Sequence, residues 1–343
     1  MKITLDKIAS VTKNVELSHE VNVTTKFKPE NGLLIVVEVL EDKKIYNQLE
    51  LPSGRLSILK KGDVIVVALG NRKALKGFVG QTPEKLKVGD IIQVLNIGGV
   101  AGLCTSENVK RVGHALKTKV LGAITDGKKP LNVKNFKKFE AQDHLSSKIP
   151  LVVVSGTCMG VGKTNVACGL VKHASNAGFT VFVAKLAGIA ALKDTEKMKD
   201  YGAKEAVSFL DAGFTSTVQN NGQSVAATKG AINHLSKGAP DFIIIEFGDG
   251  VFGEYGVMDI LKDPEIQQKT VFHIGCAHDP MGAMKLSEVC ESIGAPLSLM
   301  SGPATDNEVG VSFIKNNIGI PAFNAYTDSE KLFHYFSKSC LKK

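Results

Sequence analysis

The chain has 343 residues, 43% of them apolar, with no tryptophan and a formal net charge of +8. That length allows more than one core and makes two domains the expectation. No apolar run reaches the roughly 20 residues that cross a bilayer, and "MKITLDKIASVTKNVELSHE" lacks the apolar segment of a signal peptide, so neither a spanning helix nor a secretory leader is expected and a cytoplasmic protein is predicted.

The charge is uneven, with 25 Lys and Arg against 15 Asp and Glu in residues 1–150, and 17 against 19 in the rest. The basic surplus therefore belongs to the first half, and its densest part is "DGKKPLNVKNFKKF" (126–139). With only Phe136 and Phe139 as aromatics and no nucleic-acid fold signature, this stretch reads as a solvated lysine-rich linker. Neither a nucleic acid nor a membrane is the expected partner. The six cysteines are scattered without a C-x-x-C pair, so they read as reduced thiols, mostly small core residues.

In chain order, residues 20–105 show short Val, Ile and Leu runs broken by Gly, Pro, Asn and Asp. "GLLIVVEVL", "RLSILKKGDVIVVALG" and "KLKVGDIIQVLNIGG" predict strands, with Lys-Gly-Asp and Val-Gly-Asp as turns. A compact, barrel-like β-rich domain follows from them. "NIGGVAGLCTSE" (96–107) reads as a structural turn, and "TSENVKRVGHALKTKVLGAI" (105–124) predicts a helix capped by Thr105 or Ser106. The expected division is a β-rich domain with a trailing helix over 1–122, a basic linker over 123–149 and a second domain over 150–343.

After Pro150, strand candidates "LVVVSG", "FTVFVAKL", "DFIIIEFG", "TVFHIGCA", "PLSLMSG" and "IPAFNA" alternate with segments of helical length. Nearly continuous apolar strands imply a sheet covered on both faces, and the alternation implies parallel pairing. The second domain is therefore expected to be a doubly wound α/β fold, with ligands at the carboxyl ends of its strands.

The first of these strands runs into "GTCMGVGKT", residues Gly156, Thr157, Cys158, Met159, Gly160, Val161, Gly162, Lys163 and Thr164, and then into a helix. Glycines let successive backbone N–H groups cup an anion, and the helix N-terminus adds partial positive charge. Lys163 is expected to reach the β- and γ-phosphates of a nucleotide, and the Thr164 hydroxyl to ligate Mg²⁺. Glu246 ends the apolar strand of "DFIIIEFGDG", where an unpaired carboxylate is costly, so a metal or phosphate role is expected for it. Asp249 either adds a second carboxylate or caps a turn. His278 and Asp279 stand at another strand end as weaker candidates, while His273 lies inside the strand and reads as a core residue.

The loop resembles that of the dethiobiotin synthetase family, "GTDTEVGKT", in length, in its Gly-Thr opening and in its Val-Gly-Lys-Thr close. The resemblance covers about residues 150–325. It implies a catalytic role for Lys185, at the end of "FTVFVAKL", beside Lys163, and Mg²⁺ held by Thr164, Glu246 and an aspartate opening the next helix, with Asp200 the better match and Asp194 competing. Cys158, Met159 and Gly160 replace the family's substrate-facing Asp, Thr and Glu, and no adenine-recognising Asn is evident in "LSLMSGPATDN".

The expected function is thus an ATP- and Mg²⁺-dependent ligase similar to dethiobiotin synthetase and the cobyrinic acid amide-forming synthases, with GTP the alternative nucleotide. It would phosphorylate a small-molecule carboxylate or carbamate for attack by an amine, with a homodimer expected only by analogy. The alternatives are a nucleotide-controlled binding protein and a small-molecule kinase.

Overall fold

The structure is a computed structural model, described for residues 1–218 and 222–341. It divides into two compact units: Met1–Phe139 with Ile189–Lys193 and Phe209–Val218, and Glu140–Gly188 with Asp194–Ser208 and Gln219–Lys343.

In the first unit five strands pair in a closed circuit. Leu116–Ile124 pairs with Leu34–Val39, which pairs with Val64–Leu69; the circuit continues through Val100–Glu107 and Ile91–Val94 back to Leu116–Ile124. Every pairing is antiparallel except that of Val64–Leu69 with Val100–Glu107. Closure removes free edges, and the interior is Ile, Leu and Val, including Ile35, Ile65, Val67, Leu69, Ile92 and Val120, all without exposed surface. The expected turns are there: Gly62 (φ 90°) and Gly89 (φ 92°) adopt left-handed backbone, and the aspartates after them accept from Lys60 N at 2.7 Å and Lys87 N at 2.9 Å.

The helix expected over 105–124 is not formed. A strand runs to Glu107, Val109–Val112 makes one helical turn, and Leu116–Ile124 is a strand. Gly113 (φ 66°) ends the turn, and from Leu116 onward buried Leu116, Thr118 and Val120 alternate with Lys117, Lys119 and Leu121, a period of two that competes with the helical reading. The lysine-rich stretch also differs from a solvated linker: Val133 is buried, Leu131 N donates to Ile124 O at 2.8 Å, and Lys134 pairs with Glu30 at 2.7 Å. The stretch through Phe139 belongs to the first unit, and the second begins at Glu140.

The second unit is built on a six-stranded sheet in the order Glu205–Ser208, Val181–Ala187, Phe242–Phe247, Leu151–Gly156, Thr270–Cys276, Leu299–Ser301. All neighbours are parallel. Leu151–Gly156 and Phe242–Phe247 are buried along their whole length, as a sheet covered on both faces requires. From Leu151–Gly156 the chain winds to one side and later to the other, so right-handed crossovers place helices on both faces of a doubly wound α/β fold. The expected strand "IPAFNA" contributes only an isolated bridge, Met300 with Ala322. Among the described residues no helix is long and apolar enough to cross a membrane, and the six cysteines are free thiols.

Candidate nucleotide site

Leu151–Gly156 lies between Phe242–Phe247 and Thr270–Cys276, so its carboxyl end opens where the chain's winding reverses, the usual place for a ligand in such sheets. The loop that follows is held from three sides. Thr157 N donates to Cys276 O at 2.9 Å, and Val251 N donates to Gly156 O at 2.9 Å. Gly250 approaches so closely that a Cβ there would lie 2.2 Å from Thr157 O, and one on Gly302 would lie 2.6 Å from Val161 O. Within the loop Gly160 (φ 77°) and Gly162 (φ 89°) take left-handed backbone that side chains resist. The helix Lys163–Asn176 starts directly after Gly162 with no side-chain cap, which leaves its first amides to an anion.

Lys163 folds back over the loop, 5% exposed, and its Nζ donates to Cys158 O at 2.9 Å. Burial lowers its pKa, an effect opposed chiefly by the charge of Glu246. Thr164 Oγ1 donates to Glu246 Oε1 at 2.6 Å and lies 3.5 Å from Asp194 Oδ1. Lys185 Nζ forms an ion pair with Asp194 Oδ2. Four sequence-selected residues, Lys163, Thr164, Lys185 and Glu246, are thereby brought together with Asp194.

Glu246 is 2% exposed and its Oε2 is buried with no hydrogen-bond partner. Burial and then the charge of Asp194 push its pKa up to about 7, against the pull of Lys185, the Thr164 hydrogen bond and Lys163. Such an orphaned carboxylate oxygen beside a hydroxyl and a second carboxylate suits a hard cation or its bound water. No cluster of three or more His, Cys, Asp and Glu side chains able to hold a metal by themselves occurs among the described residues. That donor set matches Mg²⁺, which keeps waters and phosphate oxygens around one or two protein ligands.

Asp200 does not join this group. It is the exposed last residue of helix Lys193–Asp200, about 9 Å along the axis from Asp194 at 1.5 Å per residue; the aspartate that opens the helix is the one at the site. Asp249 is 6% exposed and near enough to Lys163 to raise its pKa, and the Cβ that Gly253 lacks would lie 2.4 Å from its Oδ2. Asp279 caps the helix Pro280–Ser292 by accepting from Gly282 N at 2.9 Å, and His278 is exposed. His273 is a core residue: Ser155 Oγ lies 2.7 Å from its Nε2, Ala295 O lies 2.9 Å from its Nδ1, and burial lowers its pKa to about 4. The close approaches of Gly250 and Gly302 escaped the sequence, because a glycine's missing Cβ matters only against a neighbour brought in from elsewhere.

The second unit is a doubly wound α/β domain with a glycine loop joining a central strand to a helix. No family model and no curated protein matches the chain. Solved structures similar to it include the cell division protein FtsY of Thermotoga maritima, at 16% identity over 59% of this chain and 74% of that one, with a TM-score of 0.38. The hydrogenase maturation factor HypB of Archaeoglobus fulgidus is 15% identical over 55% of this chain and 89% of that one, with a TM-score of 0.38. The signal recognition particle 54 kDa protein of Aeropyrum pernix, in complex with GDP, is 17% identical over 57% of this chain and 47% of that one, again at 0.38.

Proposed function

We propose that the protein is a Mg²⁺-dependent nucleoside triphosphatase whose nucleotide state controls binding of a partner or ligand. The observation that carries this reading is Glu246, a buried carboxylate with one oxygen on the Thr164 hydroxyl and the other without a partner, at the end of the strand beside the phosphate loop. Loop amides and Lys163 would hold the phosphates, and Thr164 with Glu246 and Asp194 would hold Mg²⁺ or its waters. The metal, when bound, supplies charge neutralisation for the transferred phosphoryl. Glu246 would orient a water as proton acceptor, and Lys163 would stabilise charge on the phosphoryl oxygens. Cys158, Met159 and Gly160, where the dethiobiotin synthetase pattern has substrate-facing side chains, favour a switch over a synthetase.

One observation keeps a second reading in play. Lys185 is buried and paired with Asp194 at the site, and a second lysine beside the phosphates suits phosphoryl transfer to a small carboxylate or carbamate, as in a dethiobiotin synthetase-like ligase, or to a kinase substrate. The discriminating experiment is phosphate release from Mg²⁺·ATP and Mg²⁺·GTP with and without a panel of carboxylates and amines. The switch reading predicts slow release without any acceptor, unaffected by the panel. Release that occurs only with one small acid or amine would replace it with the synthetase or kinase reading.

A further inference from the structure

Glu50, at the end of the short strand Gln48–Glu50, has no exposed surface. Its Oε2 accepts from Leu192 N at 2.6 Å and from the Ser10 hydroxyl, and its Oε1 accepts from Lys193 N at 2.7 Å. Leu192 and Lys193 are the residues with which the chain enters helix Lys193–Asp200, and amides at a helix start have no partner within the helix. Neither is an amide that an N-cap side chain serves, since that side chain accepts from the second or third helical residue, and Ala190, Ala191 and Leu192 carry no side-chain acceptor. Glu50, 142 positions away from Leu192, accepts from both.

All four residues belong to the first unit, which includes Ile189–Lys193. The same segment is fastened there by Ala190 N donating to Thr215 O at 2.9 Å and Asn96 Nδ2 donating to Ala190 O at 2.7 Å. The residue bonded to Lys193 is Asp194, whose carboxylate pairs with Lys185 and faces Thr164.

Resting on the proposed nucleotide site, we infer that Glu50 is a positioning residue for it. By fixing the amides of Leu192 and Lys193 it sets where the helix begins, and through the next peptide bond it sets the Asp194 carboxylate. A carboxylate is needed because three donors converge on it; the amide of glutamine would turn its own N–H₂ toward one of them. The role is specific to the metal half of the site, because the loop amides and Lys163 that hold phosphates do not depend on this helix start.

The test is calorimetric titration of ATP and GTP, each in excess Mg²⁺ and in EDTA, into wild type, Glu50→Gln and Lys193→Pro. The proline deletes one of the two amide donors at the first helical position, where proline is tolerated, so it carries the test if Glu50→Gln fails to fold. Both variants are expected to bind metal-free nucleotide within about threefold of wild type and to lose about tenfold or more of the affinity that Mg²⁺ adds, a misplacement effect of ordinary size. An undiminished Mg²⁺ increment, or equal losses with and without Mg²⁺, overturns the inference while leaving the nucleotide site standing. A wild type that binds neither nucleotide removes the nucleotide reading, and this inference with it.

Discussion

Glu246 carries the sharpest consequences of any single residue. Its native pKa of about 7 lies above the ordinary 4.5 because burial disfavours the charge, so across that interval the native protein holds a proton that the unfolded chain has released. The stability this lends is fully present below pH 4.5 and is lost as pH rises through about 7. Glu246→Gln stays neutral, so the nucleotide-free variant is expected to exceed wild type by about 1–3 kcal/mol at pH 8 and to match it near pH 4.5. Urea denaturation at a series of pH values measures this, and parallel pH profiles for the two proteins would contradict it. The same variant is expected to bind nucleotide while losing turnover by a factor on the order of 100. That Lys163, Thr164 and Glu246 come together was legible in the sequence because a strand end, a glycine loop and a Gly-Lys-Thr each restrict what can stand there. Choosing Asp194 over Asp200 was not, because both lie in one polar segment and only the helix start, fixed by Glu50 from another part of the chain, decides which faces Thr164.

Among the elements, the glycine loop that follows Leu151–Gly156 depends on neighbours that supply no side chain. Gly250→Ala would set a Cβ 2.2 Å from Thr157 O, a contact that must be relieved by moving backbone. It is expected to weaken nucleotide binding by about tenfold or more and to lower stability by about 1–3 kcal/mol. Gly62→Ala, with nothing within 4 Å but a left-handed φ of 90°, is expected to cost a similar stability from strain alone and to leave binding unchanged. Calorimetry on the two variants separates these effects, and equal affinities would deny the loop its close-packed support. The parallel sheet was readable from its strand runs, since residues buried on both sides leave an unbroken apolar signature. Leu116–Ile124 was not, because Lys117 and Lys119 gave a polar pattern that suits a helix surface as well as a barrel strand, and the pairing that decides it is with Leu34–Val39, far away in sequence.

Across the whole molecule, the first unit is discontinuous. Ala190, Phe209 and Leu210, which come from between strands of the second unit's sheet, sit in the first unit's buried cluster. No sequence pattern announces this, because apolar residues in a connecting segment look like the core of the domain around them. A chain starting at Glu140 is therefore expected to expose these side chains, to unfold at a lower temperature than the full chain and to self-associate, as light scattering and thermal denaturation would report. A monomeric truncation with unchanged nucleotide affinity and Tm would contradict that account.

The most direct test of the nucleotide site is calorimetry of Mg²⁺·ATP and Mg²⁺·GTP against wild type and Lys163→Ala. Saturable binding of at least one nucleotide by wild type, weakened by about 100-fold or more in the variant, is the predicted result, since the buried Lys163 would give the phosphates a charge-assisted bond from within the loop. Folded wild-type protein that binds neither nucleotide, or a Lys163→Ala variant that binds as well as wild type, would contradict the account.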